Sequence, residues 1–295
     1  MEQSWICKER EEFMMYMKLK DGKSKVLTFS YDDGVVQDIR LIDIFDKHGL
    51  RGTFNINTGR YLAEDVVREK FHGKMKLSES QELYVDSGHE VAVHTLNHTF
   101  LDKLSSVDII KEILTDRRNI EIQYKTVARG MAYPYGVYTE EAIESLKQCG
   151  ICYSRTTVST ENFKFPQNWL TWNPTCHHKN PKLMDLARRF VEENSRYPMD
   201  NWLFYVWGHS FEFDHQNNWN VIEEFAEYVG NKDDIWYATN IEIYDYVKAY
   251  ESLQVSVDET MVHNPSAIDV WVMIEGATYC IKGGTTLHID SSCKS

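Results

Sequence analysis

The feature that most constrains this chain is an alternation. Between residues 25 and 250, short runs rich in β-branched and aromatic residues take turns with longer runs that carry apolar residues at helical spacing. The strand-like runs are "VLTFSY", "RGTFNIN", "HEVAVHT", "VARGMAYP", "CYSRTT", "NWLFYVWGHS" and "IWYATN". Between them lie "VQDIRLIDIFDKHG", "SESQELYVDSG", "SSVDIIKEILTDRRNIEIQ", "TEEAIESLKQCG", "PKLMDLARRFVEEN" and "NVIEEFAEYVG", and "IEIYDYVKAYES" follows the last strand. A strand whose chain returns through a helix to the next strand pairs in parallel. The expected fold class is therefore α/β, either an open doubly wound sheet or a barrel. No strand is followed by a glycine-rich phosphate loop, which counts against nucleotide binding.

The two ends depart from this pattern. "FMMYMKLKDGKSKVLTFSY" alternates on either side of Asp21-Gly22, which predicts a β-hairpin whose second arm runs toward Asp32. From about Leu253, "LQVSVDE" and "AIDVWVMIEGATYCIKGGTTLHID" alternate around Glu275-Gly276 and Gly283-Gly284. This predicts a small antiparallel β appendage with one apolar face to bury, a cover rather than a binding module. The expected domains are 1–250, with 1–24 as a hairpin arm, and 251–295. The stretch "STENFKFPQNWLTWNPTCHHKN" reads as a long loop holding aromatics, prolines and histidines.

Composition narrows the function classes. The net charge is -13 and no basic tract occurs, so neither nucleic acid nor an anionic membrane is an expected partner. The chain is long enough to bury a core without disulfides, and its six cysteines are expected to be reduced thiols. Cys149 and Cys152 have redox-motif spacing, but they fall where a helix ends and a strand begins. A reactive pair sits at a helix N-terminus. The N-terminal stretch is charged throughout and lacks a leader's apolar centre, and no later run is long enough to span a membrane. A cytoplasmic location is the resulting expectation.

In parallel α/β folds, chemistry collects where strands end. Those ends carry Asp32-Asp33, His94 and His98, "AYPYG", Arg155 and His209. Singly, each has a plainer reading: a capped turn for the aspartates, loop histidines, a core ion pair for Arg155. Together they bring carboxylate, imidazole and guanidinium to one rim. Histidines at i, i+4 with a carboxylate from a neighbouring strand make a ligand set for a divalent metal that leaves positions open. Two adjacent aspartates repel, and a cation offsets that repulsion. Gly34 relaxes the backbone so that both can turn toward the mouth.

These residues resemble a known family. "TFSYDDG", "HTLNH", "YPYG" and "WGHS" are similar to the ordered motifs of polysaccharide deacetylases, the NodB-homology domain of carbohydrate esterase family four, from about Val26 to Tyr250. The resemblance implies a distorted (β/α)7 barrel. It also implies one divalent metal, zinc first with cobalt, manganese or nickel as alternatives, and hydrolysis of N- or O-acetyl groups on a sugar or glycan fragment. By it, Asp32 is the general base, Asp33, His94 and His98 are the metal ligands, and His209 is the general acid. Tyr135 offers its backbone N–H to the oxyanion, and Trp207 and Pro134 are substrate-binding positions. The family's usual arginine before the third-motif proline is Ala132 here, and Arg129 is out of register, so Arg155 is the candidate to orient Asp32. The fourth motif is not evident. Trp169, Trp172 and His178 are loose candidates for it, and His177-His178 is read as a solvated pair outside the site. A related amidohydrolase acting on a small amide and a non-catalytic glycan binder are the alternatives. Non-haem iron oxygenases share the ligand set but are built on antiparallel β scaffolds.

Overall fold

The computed structural model describes residues 13–67, 73–197 and 199–289. Cys7, Cys293 and the charged N-terminal stretch up to residue 12 lie outside them. The first elements are β1 (Met15–Lys18), β2 (Lys25–Asp32), α1 (Gln37–Lys47), β3 (Gly52–Ile56), α2 (Leu77–Tyr84), β4 (Glu90–Val93) and α3 (Ser106–Tyr124). They are followed by β5 (Gly130–Ala132), α4 (Glu140–Gln148), β6 (Tyr153–Arg155), β7 (Cys176–His177), α5 (Leu183–Glu192), β8 (Trp202–Gly208), α6 (Phe211–Gln216), α7 (Asn220–Val229), β9 (Ile235–Tyr237) and α8 (Asn240–Glu251). Five short strands close the chain: β10 (Gln254–Val255), β11 (Met261–His263), β12 (Val270–Ile274), β13 (Ala277–Ile281) and β14 (Thr286–His288).

Residues Ser24–Asp245 form one compact unit. Its sheet runs β6-β5-β4-β3-β2-β8-β7, with β9 also on β2, and every pairing is parallel. The parallel α/β expectation holds, and the sheet curls into the half-barrel of a (β/α)7 fold. β2 sits at its centre and is buried along its whole length. The two-residue period splits its side chains between two environments. Phe29 and Tyr31 pack toward helices, with Phe29 against Phe45 of α1 and Phe225 of α7 at ring distances of 4.4 and 6.0 Å. Burying such a side chain is worth roughly 1.5–3 kcal/mol. Thr28, Ser30 and Asp32 face the other way into a polar interior: Thr28 meets Asn240, and Ser30 accepts hydrogen bonds from Asn55 and Arg155. This period is what buries Asp32.

The described residues up to Lys23, together with those from Tyr246 onward, form a second unit. It holds two antiparallel three-stranded sheets, β1-β12-β13 and β10-β11-β14, around Val262, Val270, Val272, Ile274 and Ile281. The C-terminal antiparallel strands are as expected. The N-terminal hairpin is not: β1 pairs with β12, Met15 opposite Ile274, while β2 takes only parallel partners. Asp21 and Gly22 do adopt positive φ, +61° and +75°, but the turn joins strands of different sheets. β1 and β2 therefore do not pair as the two arms of a hairpin.

A second correction concerns the expected loop of residues 159–180. It contains β7, which extends the main sheet beside β8. Cys149, Cys152, Cys176 and Cys280 are free thiols, with Cys149 capping the C-terminus of α4. No helix among the described residues is long and apolar enough to cross a membrane.

Candidate active site

The strand ends converge on a cavity of about 300 Å³ lined by Asp32, Asp33, His94, His98, Tyr133, Tyr135, Thr157, Trp207 and His209. Four of the loop residues that shape it, Asp33, Thr95, His98 and Tyr135, have positive φ between +57° and +88°. This region is uncommon outside glycine, and it costs about 1–3 kcal/mol where the side chain is bulky. The strain re-aims side chains that a regular strand would send to opposite faces.

Asp32 is the last residue of β2. Asn55 donates to its Oδ1 at 2.8 Å, and the Arg155 guanidinium pairs with its Oδ2. Arg155 is itself fully buried and lies 4.3 Å from the centre of the Trp207 ring. Burial alone would raise the Asp32 carboxyl, but Arg155, with His94 and His209 behind it, holds it below the usual carboxylate range. Arg129 is elsewhere, pairing with Asp245.

Asp33 has left the strand, and Gly34 follows at φ +60°. Its Oδ1 lies 3.0 Å from Lys74 Nζ and 3.6 Å from His98 Nε2. Lys74 also donates to the Asp33 carbonyl and, at 3.2 Å, to Asn57 Oδ1. Against the burial that would raise it, Lys74 and then the histidines hold Asp33 well below its ordinary value. Sequence reasoning missed Lys74, which comes from the segment between β3 and α2 and carries no motif.

His94 ends β4. Its backbone N–H donates to Asp116 at 3.1 Å, and its carbonyl accepts from Asn57. Its Nδ1 lies 2.8 Å from the Ala132 carbonyl, which can only accept, so Nδ1 carries the proton. The lone pair on Nε2 therefore faces the cavity, and that buried atom has no hydrogen-bond partner among the described residues. Burial, opposed by the aspartates, lowers His94 to about 4, so the ring is neutral at neutral pH. Ligand atoms of Asp33, His94 and His98 all lie within 4.8 Å of one another. A neutral, orphaned imidazole nitrogen, a second imidazole and an ionised carboxylate fit a divalent cation.

A second group, His177, His178 and Glu212, is equally close-set, but its hydrogen bonding differs. The Lys179 amide donates to His177 Nδ1 at 3.1 Å, which puts the proton of the neutral ring on Nε2, facing Glu212 Oε2 at 3.2 Å. His178 Nε2 lies 3.1 Å from the same oxygen, and Lys179 Nζ lies 2.6 Å from Oε1. Glu212 is thus the shared neighbour of both rings and of Lys179, which donates to Oε1, while Oε2 makes no hydrogen bond among the described residues. Burial would raise its carboxyl, but His177, His178, His209 and Lys179 outweigh burial and hold it far below its usual range. The expectation of a solvated His177-His178 pair fails: His178 is buried between Tyr31 and Phe213.

His209 lies between Asp32 and Glu212. Its Nδ1 lies 3.8 Å from Glu212 and its Nε2 3.9 Å from Asp32. Burial would lower it, but Glu212, Asp32 and Asp33 outweigh burial and raise it above its ordinary value. The i, i+3 spacing of His209 and Glu212 was the available signal for Glu212. Tyr135 lines the cavity on a 3₁₀ turn, with its ring 4.6 Å from that of His98. Trp207 forms a wall. Pro134 is buried and is not on the cavity wall, where Tyr133 and Thr157 stand instead.

Residues 19–154 match the family described as polysaccharide deacetylase. A chitooligosaccharide deacetylase of Bradyrhizobium is 26% identical over 158 residues, 51% of this chain and 64% of that protein. A peptidoglycan-N-acetylglucosamine deacetylase of Listeria monocytogenes is 26% identical over 150 residues, 50% of this chain and 28% of that protein. The alignments thus span less than two thirds of either relative. Among solved structures, a polysaccharide deacetylase-type structure from Mycobacterium smegmatis matches with TM-score 0.54 and 17% identity, covering 80% of this chain and 94% of that one. The Xyl-CE4 domain of a multidomain xylanase from the hindgut metagenome of Trinervitermes trinervoides matches with TM-score 0.50 and 14% identity, covering 77% and 92%. Likeness at this identity establishes the fold, and the resemblance read from the motifs is borne out.

Proposed function

We propose that this chain, polysaccharide deacetylase-like in motifs and barrel, is a metal-dependent hydrolase that removes N- or O-linked acetyl groups from a sugar or glycan fragment. The observation that carries the reading is the placement of an arginine-held aspartate and a raised histidine beside a three-residue cation group in one cavity. Asp33, His94 and His98 would hold the divalent cation, zinc first with cobalt, manganese or nickel as alternatives, and when bound it supplies Lewis-acid polarisation and acidified water.

The chain's own residues supply the proton transfers. Asp32, kept ionised by Arg155, takes a proton from the attacking water as the water oxygen bonds to the acetyl carbon. Arg155 is a positioning residue, since it is buried behind Asp32 and does not reach the cavity. His209, kept protonated by Glu212, gives its Nε2 proton to the departing amine or alkoxide as the carbon–nitrogen or carbon–oxygen bond breaks. The Tyr135 N–H faces the carbonyl oxygen as charge develops on it, and Trp207 with Tyr133 walls the acetyl group and thins the water around it.

The test is acetate release from a panel of N- and O-acetylated mono- and oligosaccharides, combined with elemental analysis of the purified protein. One divalent metal per chain and acetate from at least one sugar are expected. Metal-replete protein that releases no acetate from any sugar but cleaves a small amide would move the assignment to an amidohydrolase.

A further inference from the structure

Beyond Tyr31 opposite Gly208, the ladder between β2 and β8 ends. The turns that carry Asp33 and His209 lie past that point. Asp32 is still paired there with Asn55 of β3, but no ladder bond joins it to His209, so something other than β2–β8 hydrogen bonds must keep base and acid 3.9 Å apart. Asp38, in the first turn of α1 and 1% exposed, touches both turns. Its Oδ2 accepts from the Val35 amide at 3.1 Å, one residue beyond Gly34, and from the Tyr84 hydroxyl at 2.7 Å. Its Oδ1 accepts from the hydroxyl of Ser210, the residue after His209, at 2.5 Å. Alongside it, Gln37 Nε2 donates to Asp214 of α6 at 2.8 Å.

We infer that Asp38 and Ser210 form a buried strut that sets the spacing of Asp32 and His209, which makes Asp38 a positioning residue for the reaction. This rests on the reading of those two residues as base and acid. An aspartate that only capped α1 would need the Val35 amide and could stay in water. Burying a carboxyl is costly even where it receives the Tyr84 and Ser210 hydroxyls, and burial pushes Asp38 up to about 6. The bond to Ser210 is what distinguishes a strut from a cap.

The experiment compares Ser210→Ala, Ser210→Thr and Asp38→Asn with a control, Arg40→Ala, which removes a surface bond from the same helix to Glu223. Acetate-release kinetics are read beside the imidazole NMR resonances of His209. In Ser210→Ala and Asp38→Asn, kcat should fall about tenfold with KM within about twofold, and the His209 resonances should move. Ser210→Thr, which keeps the hydroxyl, should recover most of kcat, and Arg40→Ala should leave kcat and resonances at parent values. Parent kcat and unmoved His209 resonances in Ser210→Ala would overturn the strut, as would an equal loss in Arg40→Ala. If the parent protein itself releases no acetate, the functional reading fails. The resonances still decide the strut: they move in Ser210→Ala if it exists and stay if it does not.

Discussion

Asp32 and Asp33 are adjacent, yet they answer to different partners: Arg155 and Asn55 hold the first, Lys74 and His98 surround the second. Their substitutions should separate cleanly. Asp32→Asn should keep its metal and lose about 10²–10⁴ in turnover, the range of a general base. His94→Ala should lose metal, because the nitrogen aimed into the cavity is gone. Elemental analysis beside acetate release distinguishes the two, and a metal-free Asp32→Asn protein would reverse the assignment. Glu212 offers a test through pH. In the proposed reaction a protonated His209 is the acid, so activity should fall as pH rises through the His209 pKa, which Glu212 and the aspartates lift against burial. Glu212→Gln removes one of those charges and should move the alkaline limb of the pH–rate profile to lower pH. An unmoved limb would mean that Glu212 does not act on His209. The ligand and base candidates were legible because motif residues stand at strand ends. Glu212, Lys74 and Asp38 were not, because each reaches the site from an element whose approach only the folded chain determines.

At the scale of elements, alternation was a good guide to β3, β4, β8 and the long helices, whose apolar spacing extends over several turns. It failed where pairing is decided at long range. Asp21-Gly22 has the turn chemistry of a hairpin, but β2 is buried on both faces and takes parallel neighbours, while β12 supplies β1 with an antiparallel partner. β7 was missed because two residues, Cys176 and His177, show no periodicity, and they are strand only because β8 lies beside them. The end of β8 yields a prediction of its own. A Cβ on Gly208 would fall 2.1 Å from His178 Nδ1, inside van der Waals contact, so the strand can pass there only as glycine while His178 holds its place. Gly208→Ala should therefore cost about 1–3 kcal/mol through overpacking. It should also dislodge His178 from Glu212. Denaturant unfolding measures the first effect, and His178 resonances report the second. A neutral substitution would mean that His178 has room to move.

Across the whole molecule, the polar interior of the sheet is what the sequence conceals most completely. Glu90 reads as the polar entry to "HEVAVHT", yet its carboxyl accepts from Thr53 at 2.8 Å, Tyr153 at 2.7 Å and the Ile241 amide at 2.9 Å. One carboxyl thus joins β3, β6 and the start of α8. Burial, partly offset by those donors, raises it to about 7, whereas an unfolded glutamate titrates near 4. The sign of the linkage follows. A carboxyl raised on folding contributes stability in full below about pH 4 and loses it as pH rises through about 7. Other groups titrate over the same span: Asp38 and Asp116 are raised, and His94 and His178 are lowered. The total profile therefore mixes signs, and the informative quantity is a difference. Glu90→Gln keeps the shape and removes the titration, so the stability of the parent minus that of the variant should fall between pH 5 and about 7 and level off toward pH 8, while contributions from distant groups cancel. Urea unfolding of both proteins at pH 5, 6, 7 and 8 measures that difference. Parallel profiles would show that the Glu90 carboxyl is ionised throughout and that its three donors, rather than burial, set its charge.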